Sequence, residues 1–274
     1  MRAIGRYLGQ WALSALAALQ LLTRLPLPKR MPDGSGAFSR STVFFPLTGF
    51  AIGAVLAGAG TLAGKAFPFY AAGAVVLALW VLVTGGLHLD GLMDTADGLF
   101  SNQPRERMLE IMKDSRAGAM GVIAAVTILL LKGAFLAALL ADPGRARLVL
   151  LVLVPVWSRA FLPAAIAGWK HARGEAGMGA LYRGAGLRHA AAAGTLAVLL
   201  SAALLSGAGG LALTEALAAT AAMACAAFGT GAFLARAIAR QLGGLTGDTY
   251  GAINEALETV LLAIAAGVPA HWLS

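Results

Sequence analysis

A chain of 274 residues that is 59% hydrophobic and only 12% charged carries about half the charge of a soluble domain. It cannot clothe a water-soluble surface. Its net charge of +8 has a topological explanation before any nucleic-acid one, and its single cysteine, Cys225, excludes a disulfide within the chain.

The apolar residues fall in long runs. In chain order the clearest are Val43–Ala63, Phe67–Leu87, Ala117–Ala141, Leu148–Ala167, Ala190–Leu205 and Leu211–Ala235. Most approach the roughly 20 residues that a helix needs to cross hydrocarbon. Backbone groups in lipid must bond within their own segment, so helices are expected. The short alternating segments of a β-barrel are absent. Leu8–Leu22 is a further apolar stretch. The residues after it lack a small-x-small cleavage site, so it reads as retained and not as a signal peptide. Val260–Ala270 reads as the end of a helix that starts near Asp248. The expected fold is therefore all-α, a polytopic transmembrane bundle of six to eight spans in one catalytic domain, 1–274. Gly and Ala let such helices approach closely, and Gly49 and Gly53 stand at GxxxG spacing. Cys225 reads as a small packing residue facing another helix.

Alternating sides along the six spans puts the connections 24–42, 88–116, 168–189 and 236–250 on one face. That face collects fourteen Lys and Arg, including Lys29, Arg30 and Arg183, against Lys65, Arg145 and Arg147 on the other. The positive-inside rule makes the long connections cytoplasmic. The acids divide the same way. Asp33, Asp90, Asp94, Asp97, Glu106, Glu110, Asp114, Glu175 and Asp248 lie on the long-loop face, and Asp142 and Glu215 lie opposite. Glu255 and Glu258 lie one to three turns into the last helix. No chain of charges is expected through the bilayer centre.

The most informative segment is Gly85-Gly86-Leu87-His88-Leu89-Asp90-Gly91-Leu92-Met93-Asp94-Thr95-Ala96-Asp97-Gly98. Its carboxylates stand at i, i+4 and i+7, one stripe of a helix within about 60° of arc. Like charges so spaced repel, and a divalent cation is the economical compensation. Mg²⁺ takes oxygen ligands from one or two carboxylates plus substrate phosphates. Gly91 and Gly98 leave room for a ligand to approach the backbone. His88 adjoins the stripe, while His171, His189 and His271 show no ligand spacing.

Arg107, Glu110, Asp114 and Arg116 follow. Alone they read as a surface helix laced with salt bridges. Beside the stripe, Glu110 and Asp114 become candidate metal ligands, Asp114 a candidate general base, and Arg116 a phosphate clamp. In Gly243-Gly244-Leu245-Thr246-Gly247-Asp248, glycines beside a hydroxyl at a helix start can cradle phosphate. A flexible turn with Asp248 near a helix start explains the same residues equally well. Arg159 interrupts an apolar stretch and reads as paired with an acid or a phosphate, with snorkelling to the interface as the alternative.

These blocks resemble cobalamin synthase, the adenosylcobinamide-GDP ribazoletransferase family. So does Arg107-Met108-Leu109-Glu110-Ile111-Met112-Lys113-Asp114-Ser115-Arg116, and so does the amino-terminal Leu22-Thr23-Arg24-Leu25-Pro26-Leu27-Pro28. The similarity spans nearly the whole chain. It implies a Mg²⁺-dependent enzyme of the bacterial cytoplasmic membrane whose active site faces the cytoplasm. In the implied reaction a ribose hydroxyl of α-ribazole, or of its 5′-phosphate, attacks the cobinamide-side phosphorus of adenosylcobinamide-GDP and GMP leaves. Carried onto this sequence, Asp90, Asp94, Asp97, Glu110 and Asp114 are the expected metal ligands. Asp114, Asp97 and His88 are the catalytic candidates. Arg116, Arg159, Thr246, Gly247 and Asp248 are the phosphate-binding candidates. The expected partners are these two substrates and the lipid bilayer, with no nucleic acid; a homo-oligomer is compatible with the sequence. A looser likeness to CDP-alcohol phosphotransferases rests on Asp94–Gly98 (DxxDG) and on Glu110 and Asp114 four apart, but that family's Ala-Arg pair is missing. Another phosphotransferase or a cation-coupled transporter is the alternative. A transporter would place its acids near the midplane.

Overall fold

The computed structural model describes residues 2–26, 35–174, 182 and 184–269. Leu27, Pro28, Lys29, Arg30, Asp33, Glu175, Arg183 and His271 of the sequence reading lie outside the described residues. All six expected apolar runs fall in helices. In order these are α1 (Arg2–Leu22), α2 (Ser35–Ser41), α3 (Phe45–Ala66), α4 (Phe69–Thr84), α5 (Leu87–Leu99), α6 (Arg105–Ile111), α7 (Ala119–Leu140), α8 (Arg145–Gly168), α9 (Leu187–Ser206), α10 (Leu213–Leu242) and α11 (Gly247–Gly267). Among the described residues, five helical segments are long and apolar enough to cross a membrane, or six if α4 and α5 form one broken span. Large apolar side chains such as Leu62, Leu82, Leu130 and Phe233 stand outermost. That is the pattern of a multi-pass bundle presenting its oily face to lipid.

The central element is α8, buried along nearly its whole length. Glycine brings α3 onto it. A Cβ at Gly49 would lie 2.1 Å from the Pro155 carbonyl oxygen, and one at Gly53 would lie 2.4 Å from that of Val152. The GxxxG spacing thus serves packing, as small residues do where lipid gives no hydrophobic reason to associate. Trp157 of α8 donates to Ser201 of α9 across 2.9 Å. Ala18 and Leu22 of α1 pack with Phe45 and Leu162, so α1 is part of the bundle.

Two departures from expectation matter. The run Phe67–Leu87 is not one straight span. Gly85 and Gly86 both adopt left-handed backbone and close α4, with the Gly86 N–H donating to the Val81 carbonyl, a glycine-terminated helix end. The chain then turns by 87° into α5, which runs across the bundle end. Cys225 is exposed on α10 and faces outward, not toward another helix.

The last helix crosses the bundle antiparallel to α8. At its start Leu245 donates to the Lys170 carbonyl, and Ala172 donates back to Leu245. At its far end Arg147 of α8 reaches the Val268 carbonyl at 3.2 Å. One face therefore gathers α5, α6 and the loops around 112–118, 169–174 and 243–248. The turns at 67–68, 141–144 and 207–212 lie opposite, as the alternation of spans requires.

Candidate functional site

Helix α5 carries the carboxylate stripe and is clamped from two sides. On one side lies the start of α11. A Cβ on Gly91 would stand 2.6 Å from the Asp248 carbonyl oxygen, and one on Gly251 would stand 3.0 Å from that of His88. Gly91 therefore makes room for α11, not for a ligand. Gly98 likewise makes room for Met112 and Met108. On the other side lies the start of α7. There Asp97 accepts the Gly118 N–H at 2.8 Å and the Gly121 N–H at 2.7 Å. Asp97 caps α7 from outside, where free N–H groups and the helix dipole favour an anion.

This clamping gathers four carboxylates. Asp94 feels the charges of Asp90, Asp248 and Asp97, with Arg173 opposing them. Partial burial and then repulsion, Asp90's first, push its carboxyl up to about 6. Asp248 pairs with Arg173 at 3.0 Å. Arg173 also reaches the Met112 carbonyl at 3.4 Å, so it ties α6 to α11.

Beside the carboxylates lies a pocket of about 120 Å³. Leu21, Leu22, Phe45, Leu162 and Ile166 form apolar walls, Tyr182 and Tyr250 add aromatic ones, and Asp90, Asp248, Gly247 and the first turn of α5 form the polar end.

The other expected site residues are placed elsewhere. Asp114 lies in the exposed turn after α6, bound by Arg116 through both oxygens at 2.6–3.2 Å. The Arg116 guanidinium holds its carboxyl down at about 2, which makes it a poor proton acceptor in this arrangement. Glu110 pairs with Arg107 at 2.8 Å on the outer face of α6, the salt-bridged surface helix that the spacing allowed. None of these four side chains lines the pocket. The Thr246 hydroxyl is buried and accepts the Thr249 N–H at 3.3 Å, and the Thr249 hydroxyl accepts the Thr246 N–H at 2.8 Å. Thr246 is therefore a helix cap, not a phosphate ligand. Gly247 and Asp248 do reach the pocket.

Arg159 and His88 require a larger correction. Arg159 is fully buried and donates to Glu258 at 2.6 Å. It has found an acid inside the bundle and does not face the pocket. Lys132 of α7, buried beneath Trp80, bridges Glu255 at 2.6 Å and Glu258 at 2.5 Å. Asn254 links Glu258 to the His88 ring, 3.1 and 3.0 Å away. So a buried ionic network does run through the interior, against expectation. The His88 ring is part of it, although the residue also borders the pocket. The signal was legible: one Lys and one Arg inside apolar spans, and two Glu three apart in the last helix. Charges so placed must find each other. Arg173, Tyr182 and Tyr250 were also missed, since nothing in their local spacing marks them.

The carboxylates fit a divalent cation chemically. They are hard oxygen donors with a surplus of negative charge. Among the described residues, no three His, Cys, Asp or Glu side chains converge closely enough to hold a metal unaided.

Comparison with known proteins gives a consistent picture. The family profile described as cobalamin-5-phosphate synthase matches residues 14–266. An adenosylcobinamide-GDP ribazoletransferase of Desulforamulus reducens is 40% identical over 88% of this chain and 91% of its own. Proteins of the same description from Brevibacillus brevis and a Roseiflexus species are 36% and 41% identical. The first match covers 94% of this chain and 98% of the relative. The second covers 90% and 86%. No solved structure matches the chain.

Proposed function

We infer function from one premise: this chain belongs to the cobalamin-5-phosphate synthase family. It joins adenosylcobinamide-GDP to α-ribazole or its 5′-phosphate. A ribose hydroxyl oxygen forms a bond to the cobinamide-side phosphorus. The bond from that phosphorus to the bridging pyrophosphate oxygen breaks, and GMP leaves with that oxygen. The hydroxyl proton passes to a carboxylate. The membrane is the bacterial cytoplasmic one, with the long-loop face inward.

One observation carries the geometric side of this reading. Asp94 feels the charge of three other aspartates, and two of these, Asp90 and Asp248, stand at the polar end of a pocket whose walls are otherwise apolar. Displacement at phosphorus asks for positioning and charge stabilisation. Asp90, Asp94 and Asp248 are the residues that would hold Mg²⁺, which when bound would neutralise pyrophosphate charge. A Mg²⁺ that keeps waters and takes further ligands from substrate phosphates needs no closed protein cage. Asp114, held down at about 2 by Arg116, is a poor acceptor for the hydroxyl proton near neutral pH. Arg173 is the cation nearest this charge, and an incoming phosphate would compete with Asp248 for it. The interior acids do not favour a transporter. Glu255 and Glu258 are matched by Lys132 and Arg159, leaving no surplus charge to carry an ion.

The test is GMP release from adenosylcobinamide-GDP by membranes carrying the protein, with α-ribazole and Mg²⁺ supplied. Release should vanish with EDTA and in Asp94→Asn. Release that survives both changes refutes the metal–carboxylate mechanism.

A further inference from the structure

The pocket beside the carboxylates has a composition that the phosphorus chemistry does not explain. Phosphates want donors and cations, yet Leu22, Phe45, Leu162 and Ile166 supply only hydrocarbon. Phe45 and Tyr182 meet edge to face with ring centroids 6.0 Å apart, and Tyr250 packs against the same cluster. These walls come from α1, α3, α8, α11 and the loop after α8, so the cleft is a feature of the whole bundle. Asp90 and Asp248 stand only at its polar end.

We propose that this pocket is the acceptor subsite and seats the benzimidazole base of α-ribazole. Its ribose then projects toward Asp90, Asp94 and Asp248. The inference rests on the transferase reading and adds which substrate, and which part of it, the pocket takes. Size supports it. By this measure a single water needs about 10–15 Å³, so about 120 Å³ holds on the order of ten water-sized groups. That suits an alkylated bicyclic aromatic base and is far too small for a corrin ring. Chemistry chooses between the two bases in the reaction. Guanine carries donors and acceptors along its edge, which these walls would leave unpaired at a cost. A methylated benzimidazole presents hydrocarbon along that edge and can pack against aromatic faces. The corrin and the guanosine therefore stay outside, on the carboxylate and Arg173 side, and the acceptor hydroxyl approaches phosphorus from the apolar side.

The test measures binding apart from chemistry. The purified full-length protein is titrated with α-ribazole alone, followed by the fluorescence of its base. KM is then measured separately for donor and acceptor. Removing each ring methyl should raise the acceptor's dissociation constant and KM by about fourfold, and a purine riboside should bind far more weakly still. Ile166→Phe and Leu162→Phe, which fill the pocket, should each raise acceptor KM at least tenfold while donor KM holds. The methyl series uses the unaltered protein and so stands whether or not either variant folds. If methyl removal has no effect, or if the filling variants raise donor KM and spare α-ribazole binding, the subsite assignment is overturned while the transferase reading survives. If the unaltered protein binds α-ribazole with the expected methyl dependence but releases no GMP, the transferase reading fails and the subsite stands.

Discussion

Replacing Lys132 by Met tests whether the buried network holds the bundle together. The ammonium group is 3% exposed and bridges two carboxylates. At an effective dielectric of about 20, opposite charges 2.6 Å apart attract by roughly 6 kcal/mol before desolvation is counted. The net loss is smaller. Removing one partner of a buried pair costs about 3–5 kcal/mol, because a charge is left uncompensated. A second route gives the same scale. After Lys132→Met, Arg159 still neutralises one of the two glutamates, and the other can enter the bundle as the neutral acid. Protonating a carboxyl of ordinary pKa near 4.3 at pH 7 costs roughly 3.7 kcal/mol. At pH 5.5 that falls to roughly 1.6 kcal/mol. At about 2–4 °C per kcal/mol for a chain of this size, Lys132→Met should lower the unfolding midpoint in detergent by about 7–15 °C at pH 7. The loss at pH 5.5 should be less than half as large. Adding Glu255→Gln should restore most of it, since the double variant leaves Arg159 and Glu258 as a matched pair. A Lys132→Met protein as stable as the parent would refute this account. So would a double variant no more stable than the single one.

Four further outcomes follow from the site. Gly91→Ala places a methyl 2.6 Å from the Asp248 carbonyl oxygen; it should cost about 1–3 kcal/mol in stability and lower turnover at least tenfold, measured by GMP release. Asp97→Asn leaves one acceptor oxygen for two N–H groups at the start of α7, so a loss of about 1–2 kcal/mol should show in thermal unfolding. The pH dependence of the cation-free protein follows from Asp94. Its folded pKa of about 6 lies above the ordinary value, so the folded state binds the proton more readily. That contribution is complete below the ordinary carboxylate pKa and is lost as pH rises through about 6. Unfolding midpoints without divalent cation should therefore fall between pH 4 and 7, and Asp94→Asn should flatten the slope. Asp114→Asn, in an exposed pair outside the pocket, should cut GMP release far less than Asp94→Asn does; equal losses would return Asp114 to the catalytic centre.

The helices were legible because lipid leaves the backbone no alternative, and the runs of apolar residues mark them directly. The carboxylate stripe was legible for the opposite reason, since three aspartates in a short segment stand out against an oily background. What the sequence hid was orientation. Asp90, Asp94 and Asp97 share a stripe, yet Asp97 turns to cap α7 while Asp94 stays among its neighbours. That choice depends on where α7 begins, which spacing within α5 cannot report. The block around Thr246 was read as a phosphate cradle or a flexible turn, and the structure makes it a cap instead, with Thr246 and Thr249 buried and bonded to each other's N–H groups. Arg159 was rightly read as paired. The partner turned out to be Glu258, ninety-nine residues away in sequence, and only the crossing of α8 and α11 makes them neighbours. Gly91 and Gly98 show the commonest ambiguity in such chains, because a missing side chain admits a ligand or a helix equally well.

The buried network and the site belong to one design. Membrane helices gain little from burying hydrocarbon against each other, so apolar packing alone sets their register weakly. A wrong register of α11 would strand two carboxylates in the interior, an error worth several kcal/mol. Lys132 on α7 and Arg159 on α8 therefore fix α11 in depth and rotation. Asn254, one residue before Glu255, passes that constraint to His88 at the start of α5. Six residues earlier, the same α11 backbone presents Asp248 against Gly91. The position of Asp248 beside Asp94 is thus set by charges more than a helical turn below it. Repulsion among the aspartates would otherwise push α5 and α11 apart at this point. The network of Lys132, Arg159, Glu255 and Glu258 holds them together.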